Sequence, residues 1–141
     1  MPKDINVLGV KYRETSYHTE FAGVFECSDN FLNRFLKKAK RTLCVTMRDT
    51  YMDCPDRERA QWWGDLVNES GEAFYALDVN SHLLMKKGMY ELIGWQEENG
   101  RLHSPIPASN YDVELPGQML ASIGYYGFWN YYMNTGDLET I

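Results

Sequence analysis

The sequence predicts a mainly α protein with a short β-rich segment at its N-terminus, on three observations. Apolar residues recur at helical spacing in four stretches after residue 28. Glycine, proline and Asn-Gly pairs punctuate the gaps between them. Before residue 27 the pattern differs, with β-branched and aromatic residues broken by glycines.

In the lead, Val7, Val10, Tyr12, Tyr17, Phe21, Val24 and Phe25 surround Gly9 and Gly23, which predicts two short strands or extended arms over residues 1–26. Ser28-Asp29-Asn30 then supplies N-cap chemistry. Phe31, Leu32, Phe35, Leu36, Ala39 and Leu43 follow at helical spacing, so a helix is expected from Asp29 to Met47. A polar stretch containing Pro55 leads into a second helix ending near Leu77, with Leu66, Val67, Ala73, Phe74 and Leu77 on one stripe. Pro55 suits a helix start, where its missing N–H costs nothing. A third helix from Asn80 to Trp95 carries Leu83, Leu84, Met85, Met89, Leu92 and Ile93, and Gly94 and Asn99-Gly100 help to end it.

Arg101 to Pro116 holds three of the five prolines and reads as an ordered loop. The last expected helix, Gly117 to Tyr132, is rich in aromatics: Tyr125, Tyr126, Phe128, Trp129, Tyr131 and Tyr132. Packing against a neighbouring helix explains that stripe better than a sugar-stacking surface does. Residues 137–141 bring no closing element, so the ending suggests a cut through a larger domain.

Size and composition narrow the function classes. The chain has 141 residues, 44 % hydrophobic and 24 % charged, which suits one compact soluble domain or a fragment of one. Its net charge of −6 and the lack of a long Lys/Arg run argue against nucleic acid. The cluster Lys37-Lys38-Ala39-Lys40-Arg41 reads as the solvated side of a helix. Cys27, Cys44 and Cys54 are odd in number and form no CxxC pair, so a reduced compartment without disulfides is the plain reading. Neither a secretory pattern nor an apolar run of membrane-spanning length occurs. No membrane partner is expected, and the cytoplasm is slightly favoured.

His18, His82 and His103 lack metal-ligand spacing, and neither a GxSxG elbow nor a phosphate-cradling glycine loop is found. No metal or cofactor is therefore expected. The sequon Asn68-Glu69-Ser70 lies inside an expected helix and reads as accidental.

The chemically informative stretch is residues 53–65, Asp-Cys-Pro-Asp-Arg-Glu-Arg-Ala-Gln-Trp-Trp-Gly-Asp. Asp53, Asp56, Glu58 and Asp65 stand beside Arg57, Arg59 and two tryptophans. If helix runs from Glu58 to Asp65, those two carboxylates share a face with Gln61 and Trp62 between them. Glycosidic cleavage needs such groups: one carboxylic acid to protonate the leaving oxygen, and a second carboxylate to activate water or attack. Acids crowded together raise one another's pKa, while a neighbouring arginine opposes that shift. On composition alone, a solvated helix with local ion pairs is the better account of the stretch.

Asp53-Cys54-Pro55, Arg57-Glu58-Arg59 and Trp62-x-Gly64-Asp65 together resemble the signature of glycoside hydrolase family 78, the bacterial α-L-rhamnosidases. Phe25-x-Cys27-Ser28-Asp29 with Leu32-Asn33 is similar to that family's entry into its helical domain. Tyr126-Gly127-Phe128-Trp129 and Thr135-Gly136-Asp137 resemble its helices. The resemblance implies an (α/α)6 barrel, of which residues 27–141 would be the N-terminal part, with residues 1–26 a lead from a preceding domain. It implies inverting hydrolysis of terminal α-L-rhamnose from oligosaccharides or glycosides. Glu58 would be the general acid, and Asp53, Arg57, Trp62 and Asp65 would hold the sugar.

The family's general base lies far downstream. Glu69, Glu72, Glu91, Glu97, Glu98, Glu114 and Glu139 are present, but none stands in its context. Tyr111 and Asp112, in the proline-rich loop, could line the pocket. Helices missing their barrel neighbours should leave apolar faces that favour self-association. A rhamnose-binding remnant without turnover and a helical interaction module remain as alternatives.

Overall fold

The computed structural model describes residues 4–107 and 113–141. Three regular helices come first: α1 (Asn30–Thr46), α2 (Trp63–Ala76) and α3 (Asn80–Gly94). A composite helix follows, here α4. It runs through a 3-10 turn (Gly117–Met119), an α turn (Leu120–Ser122), a π segment (Ile123–Trp129) and a regular end (Asn130–Thr135). Tyr111 and Asp112 lie outside the described residues.

Helix α1 starts where its capping residue stands. Asp29 is extended, and its Oδ1 accepts the Phe31 N–H at 2.7 Å. Met47 returns to extended backbone at the other end. The expected helix from Asn80 to Trp95 is likewise found, with Trp95 as its C-cap.

The core lies where α2 and α3 pack together and α4 closes over them. Leu66, Leu84, Met85, Met89 and Leu92 are buried there with Met47, Tyr51 and Tyr131. The packing is tight enough to demand glycine twice. A Cβ at Gly88 would run into the Leu66 side chain, and one at Gly127 would sit 2.6 Å from the Trp63 ring.

Two expectations need correction. The lead forms no strand among the described residues; its bridge to the body is the isolated pair Phe21↔Leu77. A β-rich sequence needs a partner strand to satisfy its backbone, and none lies beside it. Leu8, Val10, Tyr12 and Val24 stay exposed. Backbone and side-chain hydrogen bonds lace residues 17–23 to the body. Tyr17 N–H donates to Met47 O, Tyr17 Oη to Asn80 O, Thr19 Oγ1 to Asp78 and Gly23 N–H to Ala76 O. The basic cluster of α1 helps: Lys40 donates to Gly23 O at 2.6 Å, and Arg41 pairs with Glu14.

The second correction concerns α2, which begins at Trp63 rather than near Pro55. Arg59 sits at φ 53°, in the left-handed region that breaks a helix. Asp53 and Ala60 clasp each other across the intervening residues. The Asp53 N–H donates to Ala60 O at 3.1 Å, and the Ala60 N–H donates to Asp53 Oδ1 at 3.0 Å. Residues 53–60 therefore close as a loop.

The aromatic stripe of α4 is covered only in part. Tyr131 is buried and Phe128 packs against the core, whereas Tyr125, Tyr126 and Trp129 are exposed. Gly136, at φ 69°, ends the helix in left-handed geometry. Asp137 then ties the end down, accepting from Lys86, Tyr131 and Thr140.

Candidate active site

The loop before α2 carries most of the acidic residues singled out in the sequence. Asp53 and Glu58 come together, with carboxylate oxygens and the Cys54 sulfur all within 4.8 Å of one another. The Cys54 thiol donates to Glu58 Oε2 at 3.8 Å. Such a triad has the donor types to reach one cation. The neighbouring guanidinium already supplies the positive charge, so hydrogen bonding explains the cluster without a metal. Arg57 Nη2 donates to Glu58 Oε2 at 2.9 Å, and its Nε lies 2.5 Å from Oε1. Arg57 is itself largely exposed and Glu58 mostly covered, so the arginine lies over the carboxylate from the solvent side.

Burial works against ionising Asp53. Hydrogen bonds with the Cys54 thiol and the Glu58 carboxyl, and from the Ala60 and Cys54 backbone, outweigh it and hold this carboxyl below its usual range. Asp65 behaves in the opposite way. It sits in the first turn of α2, where burial and then the nearby Asp53 charge push its pKa up, with Glu58 adding to the shift. Asp53, Glu58 and Asp65 thus form one electrostatic group, although helical periodicity does not join them.

Trp62 is half-buried at the N-cap position of α2. Gln61 does not share the acidic face. It is buried, and its Nε2 donates to Glu91 Oε2 on α3 at 2.8 Å. Asp56 is exposed at the rim of the loop.

What holds this loop in place comes from the proline-rich segment, which sequence reasoning left undecided between a lining and a connecting role. The Ile106 N–H donates to Gln61 O, and Ser104 Oγ accepts the Trp63 N–H at 3.3 Å, satisfying a free donor at the start of α2. Ser104, Pro105 and Ile106 are buried beneath the loop, with cis peptide bonds preceding Pro105 and Pro107. From α4, Ser122 Oγ accepts the Trp63 indole N–H at 3.0 Å. Serines in a loop carry no distinctive signal, so this support was invisible beforehand.

Glu69 was also missed as a member of the group. It lies one turn beyond Asp65 on α2, with one carboxylate oxygen fully buried. Its position between the buried residues Leu66, Val67, Ser70 and Ala73 was the available signal.

An apolar groove of about 570 Å3 lies elsewhere, between α1 and the end of α2. Phe25, Leu32, Phe35, Leu36 and Tyr75 line it, and none of the five candidate sugar-site residues does. Its lining suits packing rather than sugar chemistry. His103 is buried, with Nε2 2.9 Å from Glu97, and His82 meets the Phe74 ring edge-on. Both fit structural roles. The three cysteines are free, and no helix among the described residues is long and apolar enough to cross a membrane.

Neither a curated protein nor a solved structure gives a significant match to the chain. A family match does exist and spans residues 20–141, taking in the acidic loop, all four helices and residues 20–26 of the lead. The chain belongs to the bacterial alpha-L-rhamnosidase 6-hairpin glycosidase domain family.

Proposed function

We propose that this chain is the N-terminal part of an inverting α-L-rhamnosidase catalytic domain, an (α/α)6 barrel acting on terminal α-L-rhamnose. One observation carries the reading. In a chain of this family, the loop before α2 gathers Asp53 and Glu58 within 4.8 Å, beside Asp65 in the first turn of the helix.

In this mechanism Glu58 protonates the glycosidic oxygen. Asp53 and Asp65 accept hydrogen bonds from the rhamnose hydroxyls, Arg57 donates to the sugar, and Trp62 covers its apolar face. Water attacks from the opposite side, activated by a base about 6.5–9.5 Å from the acid. That base lies outside residues 1–141. Residues 1–26 are a lead from a preceding domain, and residues 27–141 are the barrel portion. No cofactor takes part. Phe31, Leu32 and Phe35 on α1, with Tyr125, Tyr126 and Trp129 on α4, are exposed and favour self-association.

Release of an aryl group from an aryl α-L-rhamnoside, compared between this chain and Glu58→Gln, tests the chemistry. Turnover abolished by the substitution supports Glu58 as the acid. Turnover that survives it removes Glu58 from that role, and no release from either chain is the outcome expected if the base has to come from outside residues 1–141. A second reading, rhamnose binding without turnover, draws support from Arg57 occupying both Glu58 oxygens. It predicts rhamnose affinity that is lost in Asp65→Ala while no aryl group is released.

A further inference from the structure

We propose that Glu69 is a positioning residue for Asp65, a buried carboxyl one helical turn away that keeps a second negative charge out of the sugar site. The inference rests on the reading of Asp65 as a sugar-binding carboxylate.

The geometry of α2 makes the pairing. Residues four apart on a helix stand roughly 6 Å from each other on one face, and Asp65 and Glu69 are so placed within Trp63–Ala76. Glu69 turns inward from there. Its Oε2 is wholly buried and has no hydrogen-bond partner among the described residues.

A second buried oxygen without such a partner stands nearby. Tyr51 is fully buried in the stretch that follows α1, and its hydroxyl feels the charge of Glu69. Thr46, in the last turn of α1, completes the cluster. Its hydroxyl bonds to the Thr42 and Leu43 carbonyls and also reaches Glu69. The end of α1 and the segment that follows it thus both meet the Glu69 carboxyl.

Among the described residues, the charges that act on it most strongly include no cation. Asp65 and Glu72 face Glu69 from its own helix and Asp53 from the acidic loop, and all three are acidic. An ionised carboxylate there would lack a counter-ion and leave a buried oxygen unsatisfied. The neutral acid offers the cluster both a donor and an acceptor. Burial, followed by the Asp65, Glu72 and Asp53 charges, outweighs the Thr46 hydrogen bond and pushes Glu69 up to about 8. Below that pH Asp65 can carry its charge alone. Above it, a second charge appears one turn away, and linkage makes the two sites antagonistic.

The test is a carboxyl-carbon NMR titration of the chain, labelled at glutamate and aspartate, with Glu69→Gln and Asp65→Asn as companions. A glutamate signal titrating near pH 8 and missing from Glu69→Gln is expected. The Asp65 signal should show a second step at the same pH. If Glu69→Gln fails to fold, Asp65→Asn serves instead, and the Glu69 titration should move to lower pH there. Rhamnose affinity of the unsubstituted chain should fall several-fold as pH rises through 8, and stay level in Glu69→Gln.

A Glu69 signal in the ordinary carboxylate range overturns the proposal, and so does an Asp65 signal without a second step. Coupled titration with no rhamnose binding at any pH would sink the sugar reading while leaving the coupling standing. Rhamnose binding that ignores pH would overturn the positioning role and spare the sugar reading.

Discussion

Helices α1 and α3 have similar lengths, 17 and 15 residues, and opposite fates. In α1 the apolar and charged residues are sharply segregated, yet it buries only Leu43 and Thr46 and leaves Phe31 and Phe35 more than 60 % exposed. In α3 the two kinds are more mixed, and it buries six residues: Ser81, Leu84, Met85, Gly88, Met89 and Leu92. A helix covered on several sides needs apolar or small residues around much of its circumference, which blurs the stripe. Helix α3 is in that position, with α2 on one flank and α4 on another. A clean stripe says that a face is built to be covered. It does not say that the covering element is at hand.

The comparison can be broken most easily from the α3 side. Leu92→Ala removes a fully buried side chain and should cost about 2–5 kcal/mol in urea unfolding. An effect under half a kcal/mol would mean that α3 is not the core helix. Gly88→Ala drives a methyl group into Leu66 and should cost about 1–3 kcal/mol.

The pH dependence of stability gives an effect with a definite sign. Glu69 moves from its ordinary 4.5 up to about 8 in the fold, so the folded chain binds more protons than the unfolded one between those values. Its contribution is intact below pH 4.5 and is lost as pH rises through 8. Melting temperature followed across that window should therefore decline more steeply for the unsubstituted chain than for Glu69→Gln. Parallel curves would show that Glu69 titrates alike in both states.

On α1 the expected effects are the smallest. Asp29→Ala removes the cap and should cost about 1 kcal/mol. Phe35→Ser should change monomer stability by no more than about 0.5 kcal/mol, as surface substitutions do. A larger loss would show that something covers α1 in solution, and light scattering on the same samples would reveal whether a second copy does.

The same contrast explains what could be read from the sequence. The ends of α1 and α3 were legible because the signals are local: Asp29 bonds two residues ahead, and periodicity stops at Trp95. The start of α2 was not legible. It depends on a left-handed Arg59 and on the Asp53–Ala60 clasp, and a non-glycine residue gives no warning of positive φ. Local composition suggested strands in the lead, where Val10 and Val24 meet no partner strand. In the acidic group, Asp53, Glu58 and Asp65 were identified by residue type and motif. The shared helical face expected for Glu58 and Asp65 was wrong, and proximity through the loop took its place. Glu69 escaped because burial of its carboxyl depends on Tyr51 and Thr46, which arrive from earlier in the chain.

The buried serine and prolines beneath the acidic loop bear on how portable that loop is. A thirteen-residue peptide with the same letters would lack the Ser104 hydroxyl that receives the Trp63 N–H and the Ile106 N–H that holds Gln61. Grafting it onto a foreign helix would copy the alphabet and lose the shape. Any transferable piece has to reach from Asp53 to at least Ser122, and it brings α2, α3 and the start of α4 along as part of the loop's own scaffolding.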